Sequence, residues 1–106
     1  DAWRLVWRGV DLDFTGLRRP ARDIGADLKL RDFTLNAMAV EVDDAFAAGE
    51  RRPLIDPTGG VADIAAGRIR MLSPAVLDAD PLRRLRAFRF AACLGFAIDS
   101  ATLAAI

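Results

Sequence analysis

Two stretches of this chain carry residues whose types and spacing could do chemistry. One is Leu30-Arg31-Asp32-Phe33-Thr34-Leu35-Asn36-Ala37-Met38-Ala39; the other is Asp80-Pro81-Leu82-Arg83-Arg84-Leu85-Arg86-Ala87-Phe88-Arg89-Phe90. A guanidinium offers donors in a rigid fork, and a carboxylate offers acceptors only. Asp80 with Arg83 could therefore meet the Watson–Crick edge of a base, while Arg86 and Arg89, further along the same helix, could take phosphate oxygens. Arg31 could bind sugar or phosphate and Asp32 a ribose hydroxyl, at a helix start whose free amides favour an anion. Each cluster also has an ordinary structural explanation. Asp80 and Arg83 could be a surface pair of little energetic worth, and Asp32 could simply cap a helix beside a solvated Arg31. Asn36 is expected to bond backbone.

Two other groups invite chemistry. Asp11 and Asp13 share one strand face, as a pair of magnesium ligands would; a solvated edge strand is the expected reading. Asp56, before Pro57-Thr58-Gly59-Gly60, is expected to brace that turn by accepting backbone amides.

The elements that must position these residues follow from periodicity. Trp3 to Trp7 and Val10 to Phe14 alternate apolar and polar around Arg8-Gly9, which predicts a β-hairpin. Gly16 to Gly25 is a loop, and Asp32 is a candidate N-cap of a short helix. Ala39 to Val42 reads as a strand, Asp43 to Arg52 as a surface connection, and Leu54-Ile55-Asp56 as a short buried strand. Val61 to Ala66 forms two helical turns ended by Gly67. Arg68 to Leu72 is the last strand expected, and Ser73-Pro74 opens a helix. Asp80 as N-cap and Pro81 as first helical residue open the next one, whose Leu82, Leu85, Phe88 and Ala92 form a core stripe. Gly95 stops it, and Asp99 or Ser100 caps another. Strands first and helices afterwards make the fold class α+β, with a change of layer or domain near Ser73.

Composition narrows the possibilities. The chain has 106 residues, is 53% hydrophobic and carries no formal net charge. That suits one small domain, or pieces of two. Lys29 is the only Lys among 15 cations, and Arg is the better residue for bidentate recognition. The absence of His removes Ser-His and Cys-His catalysis from within the chain. Cys93, alone, excludes an internal disulfide and is expected to be a buried, inert thiol. No run approaches the ~18 apolar residues of a membrane span, so a soluble cytoplasmic protein is expected. The ends read as cut from a longer protein.

The motifs resemble those of the class II tRNA nucleotidyltransferase and bacterial poly(A) polymerase family. Leu30 to Ala39 is similar to the family's Arg-Arg-Asp-Phe-Thr-Ile-Asn-Ala-Met-Ala run. Leu54 to Gly60 matches Leu-Ile-Asp-Pro-x-Gly-Gly, Ala62 to Arg70 matches a short helix with an Ile-Arg pair, and Ala79 to Phe96 matches the Glu-Asp-Pro-Leu-Arg-x-Leu-Arg-Ala-x-Arg-Phe run. The resemblance implies rebuilding of the tRNA 3′ CCA end from CTP and ATP, by metal-dependent nucleotidyl transfer without a nucleic-acid template. It implies that Arg31 and Asp32 sense the ribose, Asp80 and Arg83 read the base, and Arg86 and Arg89 help hold the nucleotide. Residues 1–72 would be the later part of a nucleotidyltransferase head, a mixed or antiparallel sheet with helices, and 73–106 the start of a helical neck that binds RNA and nucleotide. Three departures stand out. Leu30 replaces the first Arg, Ala79 replaces the Glu before Asp80, and no glycine loop precedes Asp11-x-Asp13. Mg²⁺ is therefore expected on residues upstream, and this stretch alone is expected to be inactive. Alternatives are a poly(A) polymerase, a non-catalytic RNA-binding module on the same scaffold, and a helical interaction domain without a nucleotide role.

Overall fold

The computed structural model describes residues 2–106. Strands β1 (Ala2–Trp7) and β2 (Val10–Thr15) pair antiparallel, with Ala2 opposite Thr15 and Trp7 opposite Val10. Arg8 and Gly9, at φ 49° and 75°, make the two-residue turn whose twist suits a hairpin. Alternation places Trp3, Leu5, Trp7, Val10, Leu12 and Phe14 on one face, all exposed, and Arg4, Asp11 and Asp13 on the other. None of these side chains joins the core.

Helix α1 (Ile24–Leu28) begins where Asp23 accepts the Ala26 amide at 2.7 Å, inside the stretch expected as loop. A 3₁₀ turn, Thr34–Asn36, follows, and Asp32 is not its cap: Phe33 occupies that place with no side-chain bond. Asp32 is instead held in a backbone zipper. Its carbonyl accepts from the Leu72 amide at 3.0 Å, and Thr34 donates its amide to the Arg70 carbonyl at 3.0 Å. Strands β3 (Ala39–Val40) and β4 (Leu54–Ile55) pair antiparallel, and α2 (Asp44–Ala47), capped by Asp43, lies in the connection between them. Leu54 is exposed, so β4 is an edge pair and not the buried strand expected. Helix α3 (Gly60–Ala66) ends at Gly67 with φ 66°. At Gly60 a Cβ would stand 2.2 Å from the Thr34 carbonyl oxygen, so only glycine lets α3 lie against the Thr34 turn.

Strand β5 (Arg68–Ile69) leads to α4 (Pro74–Ala79), which starts after Ser73 with Pro74 in its first turn, and then to α5 (Leu82–Leu94). Gly95 at φ 69° ends α5 and turns the chain back, so that β6 (Ala97–Ile98) pairs parallel with β5. The strands thus do not stop at Leu72, a correction to the simple order read from the sequence. Asp99 caps α6 (Ser100–Ala105) through the Thr102 amide, and the buried Thr102 hydroxyl accepts from Met71 at 2.9 Å. The core gathers Phe33, Ile69, Val76, Leu77 and Ala87, with Phe90, Phe96 and Ile98 against it. It runs through both sides of Ser73.

The expected stripe on α5 faces outward: Leu82 and Leu85 are each 65% exposed, and Phe88 is exposed too. Ala87, Phe90 and Ala91 face the core instead. The cause lies in α4, whose last carbonyls lack helical partners. Arg83 donates Nη1 to the Val76 carbonyl at 2.9 Å, and Arg84 donates Nη1 to the Leu77 carbonyl at 3.1 Å. Turning these Arg inward turns Leu82 and Leu85 out. Cys93 is exposed, not buried.

Candidate functional site

A polar cavity of about 230 Å³ opens between the 31–36 segment and the start of α5. Arg31, Asp32 and Asn36 line it from one side, Asp80, Arg83 and Arg86 from the other, and Arg18 reaches it from the loop after β2. Five of the six residues expected to contact the nucleotide therefore share one cavity. Arg89 lies exposed on α5 outside it. Arg18 was not anticipated, because the loop carrying it has no periodic pattern.

Asp32 ties the two sides together. It is 5% exposed. One carboxylate oxygen accepts the Phe33 amide at 3.0 Å, and the other accepts Arg86 Nε at 2.6 Å. The Arg86 guanidinium lies 5.3 Å from the centroid of the Phe90 ring, and Phe90 meets Phe33 edge-on at 5.8 Å. Asp32, Arg86, Phe90 and Phe33 thus close a ring of contacts that fixes α5 against the segment before the 3₁₀ turn.

Asp80 and Arg83 are differently disposed. Among the described residues no ion pair joins them. Pro81, not Asp80, takes the cap position of α5, and Asp80 braces the helix start from one residue earlier. Its carboxylate accepts the Leu82 amide at 3.0 Å and its carbonyl the Arg83 amide at 3.0 Å. The second carboxylate oxygen and the rest of the Arg83 fork make no hydrogen bond among the described residues. An acceptor and a donor fork that line one cavity and are not spent on each other are what the edge of a base requires. Two further polar atoms of lining residues, Arg31 Nε and Asn36 Oδ1, are buried without a partner. Native interiors rarely leave such groups unmatched.

Asp56 and Asp63 serve the frame. Asp56 accepts the amides of Gly59, Gly60 and Val61 at 3.1, 2.7 and 3.0 Å. The Val61 amide above all, against some desolvation and helped by the other amides, holds the carboxyl below its usual range. Buried Asp63 accepts from the Thr34 hydroxyl and from Arg70 Nε at 2.9 Å, which secures the turn behind the cavity. The described residues do not fit a magnesium site. Asp13 is engaged by Arg4 at 2.7 and 3.1 Å, and among the described residues no three His, Cys, Asp or Glu side chains gather.

The head-domain family described as "Poly A polymerase head domain" matches residues 10–70. The CC-adding tRNA nucleotidyltransferase of Geobacter sulfurreducens is 49% identical over 96% of this chain and 22% of its own length. The chain belongs to the class II tRNA nucleotidyltransferase family. The A-adding tRNA nucleotidyltransferase of Deinococcus radiodurans is 39% identical over 98% of this chain and 21% of its length. A tRNA nucleotidyltransferase solved with a primer tRNA and an incoming ATP analogue superposes with a TM-score of 0.80, at 36% identity, over 98% of this chain and 30% of that one. The chain spans about a fifth of the length of these curated relatives. No helix among the described residues is long and apolar enough to cross a membrane.

The two side chains that depart from the runs this chain resembles lie near one another. Leu30 and Ala79 line one depression of about 400 Å³ that also touches Arg83.

Proposed function

We propose that this chain is the nucleotide-reading part of a tRNA nucleotidyltransferase that extends the tRNA 3′ end to CCA from CTP and ATP. The observation that carries the reading is that Asp80 and Arg83, not paired with each other, line the same cavity as Arg31 and Asp32. In this reading Asp80 and Arg83 meet the base edge, Asp32 accepts a ribose hydroxyl, and Arg31 takes sugar or phosphate. Arg86 holds Asp32 in place, and Arg89 sits further along the helix. Residues 1–72 belong to the head and 73–106 begin the neck, with the cavity between them. The family's magnesium chemistry falls to residues other than these. Relatives named as CC-adding and A-adding favour a second reading, in which the protein adds C only or A only.

The intact protein carrying this chain, given tRNA trimmed of its 3′ CCA with CTP and ATP, is expected to add CCA. Addition of C alone or A alone selects the second reading, and a long A tail selects a poly(A) polymerase. Absence of any addition leaves a non-catalytic RNA-binding module. Arg83→Ala is expected to blur the choice among triphosphates by about 1–3 kcal/mol of discrimination; unchanged selectivity would remove Arg83 from the base-reading role.

A further inference from the structure

The cavity's charges do not balance among themselves. Arg86 spends Nε on Asp32, and Arg83 with Asp80 suits a neutral base edge. The cations left over are Arg18 and Arg31, and both lead back to one residue, Asp27. Asp27 is 3% exposed. One of its oxygens accepts the Arg18 amide at 2.6 Å, and the other accepts Arg18 Nη1 at 3.1 Å and lies 3.9 Å from Arg31 Nη2. A single buried carboxylate thus grips Arg18 by main chain and side chain and stands beside Arg31. Arg18 Nε and Nη2 make no hydrogen bond among the described residues, and Arg31 Nε is buried without a partner.

We infer that Arg18 is a phosphate-binding residue of this cavity, paired with Arg31, and that Asp27 is the positioning residue that aims both at the nucleotide's triphosphate. The ligand chemistry is that of phosphoryl oxygens, which planar forked donors bind bidentately. The inference rests on the nucleotide reading above and extends it to residues outside the recognised motif runs. Asp27 lies behind the cavity and is not among its lining residues, so its effect on ligand passes through the two Arg. A loop arm held at its base by a buried carboxylate is also ordered before ligand arrives, which lowers the cost of binding.

The test is titration of the intact protein carrying this chain with CTP, cytidine, inorganic triphosphate and a tRNA trimmed of its 3′ CCA, for wild type, Arg18→Gln, Arg18→Lys and Asp27→Asn. A charge-assisted contact of this kind is worth about tenfold to a hundredfold in affinity. Arg18→Gln is expected to weaken CTP and inorganic triphosphate by that factor and to leave cytidine unchanged. Arg18→Lys should recover part of the loss. Asp27→Asn should weaken CTP by a smaller factor, again sparing cytidine. A variant that weakens CTP and cytidine equally has only a structural role, and the inference fails for that residue. It also fails if Arg18→Gln leaves CTP unchanged, or weakens a trimmed tRNA and not CTP, which would assign Arg18 to an RNA phosphate. If wild type binds no CTP while its thermal unfolding is cooperative, the nucleotide reading falls and takes this inference with it. CTP binding that survives Arg18→Gln overturns the inference alone.

Discussion

Two Arg–Asp pairs in this molecule have nearly the same geometry and opposite surroundings. On the β1–β2 ribbon, Arg4 Nε meets Asp13 at 2.7 Å with side chains 63% and 65% exposed. Beside the cavity, Arg86 Nε meets Asp32 at 2.6 Å with side chains 41% and 6% exposed. The ribbon pair is closer to ideal, since Arg4 binds both carboxylate oxygens. The hydrogen bond from Arg4 holds the Asp13 carboxyl below its usual range, and the same bond raises Arg4. Water competes for both partners there, so the bond adds little to folding. Asp32 has no such recourse. Distance alone does not rank these pairs; what each carboxylate would face without its partner does.

Removing one partner at a time separates the two pairs. Arg86→Ala should cost most, about 3 kcal/mol in urea unfolding, because it strands a buried carboxylate. That is the low end for a broken buried pair, since Arg86 is partly screened by solvent. Asp32→Ala should cost less, about 1–2 kcal/mol, because Arg86 can turn to water and only hydrogen bonds are lost. A reversed order would show that burial of Asp32 does not govern the pair.

A smaller effect sharpens the contrast through pH. The Asp56 carboxyl is lowered on folding, so its contribution is present above the ordinary carboxylate range and is lost as pH falls through its folded value. Asp56→Asn should lower the thermal midpoint at neutral pH, and the gap from wild type should close in acid. A gap independent of pH would mean the amides around Gly59 and Gly60 gain nothing from the charge. Asp13→Ala should give the smallest effect, with no resolvable shift in the thermal midpoint. A clear destabilisation would mean the ribbon is covered in solution.

Local rules were legible in the sequence because they depend on a few neighbouring residues. Arg8-Gly9 had to turn, Gly67 and Gly95 had to end helices, and Asp99 or Ser100 had to cap one, which Asp99 does. The facing of α5 was not legible. Its apolar stripe pointed to burial, yet the open carbonyls of Val76 and Leu77 drew Arg83 and Arg84 inward. The parallel pairing of β5 with β6 likewise depends on a chain reversal at Gly95 and a distant partner. In the site, the two motif runs carried Arg31, Asp32, Asp80 and Arg83 openly. That Asp32 would be gripped by a residue 54 positions away, or Arg18 by Asp27, lay in the packing and in no local pattern.

The most direct measurement is a structure of the intact protein with CTP bound. The cytosine edge is expected against Asp80 and Arg83, the ribose at Asp32, and the phosphates on the Arg18 and Arg31 side. CTP seated away from this cavity, or in it with its base turned from Asp80 and Arg83, would contradict the account.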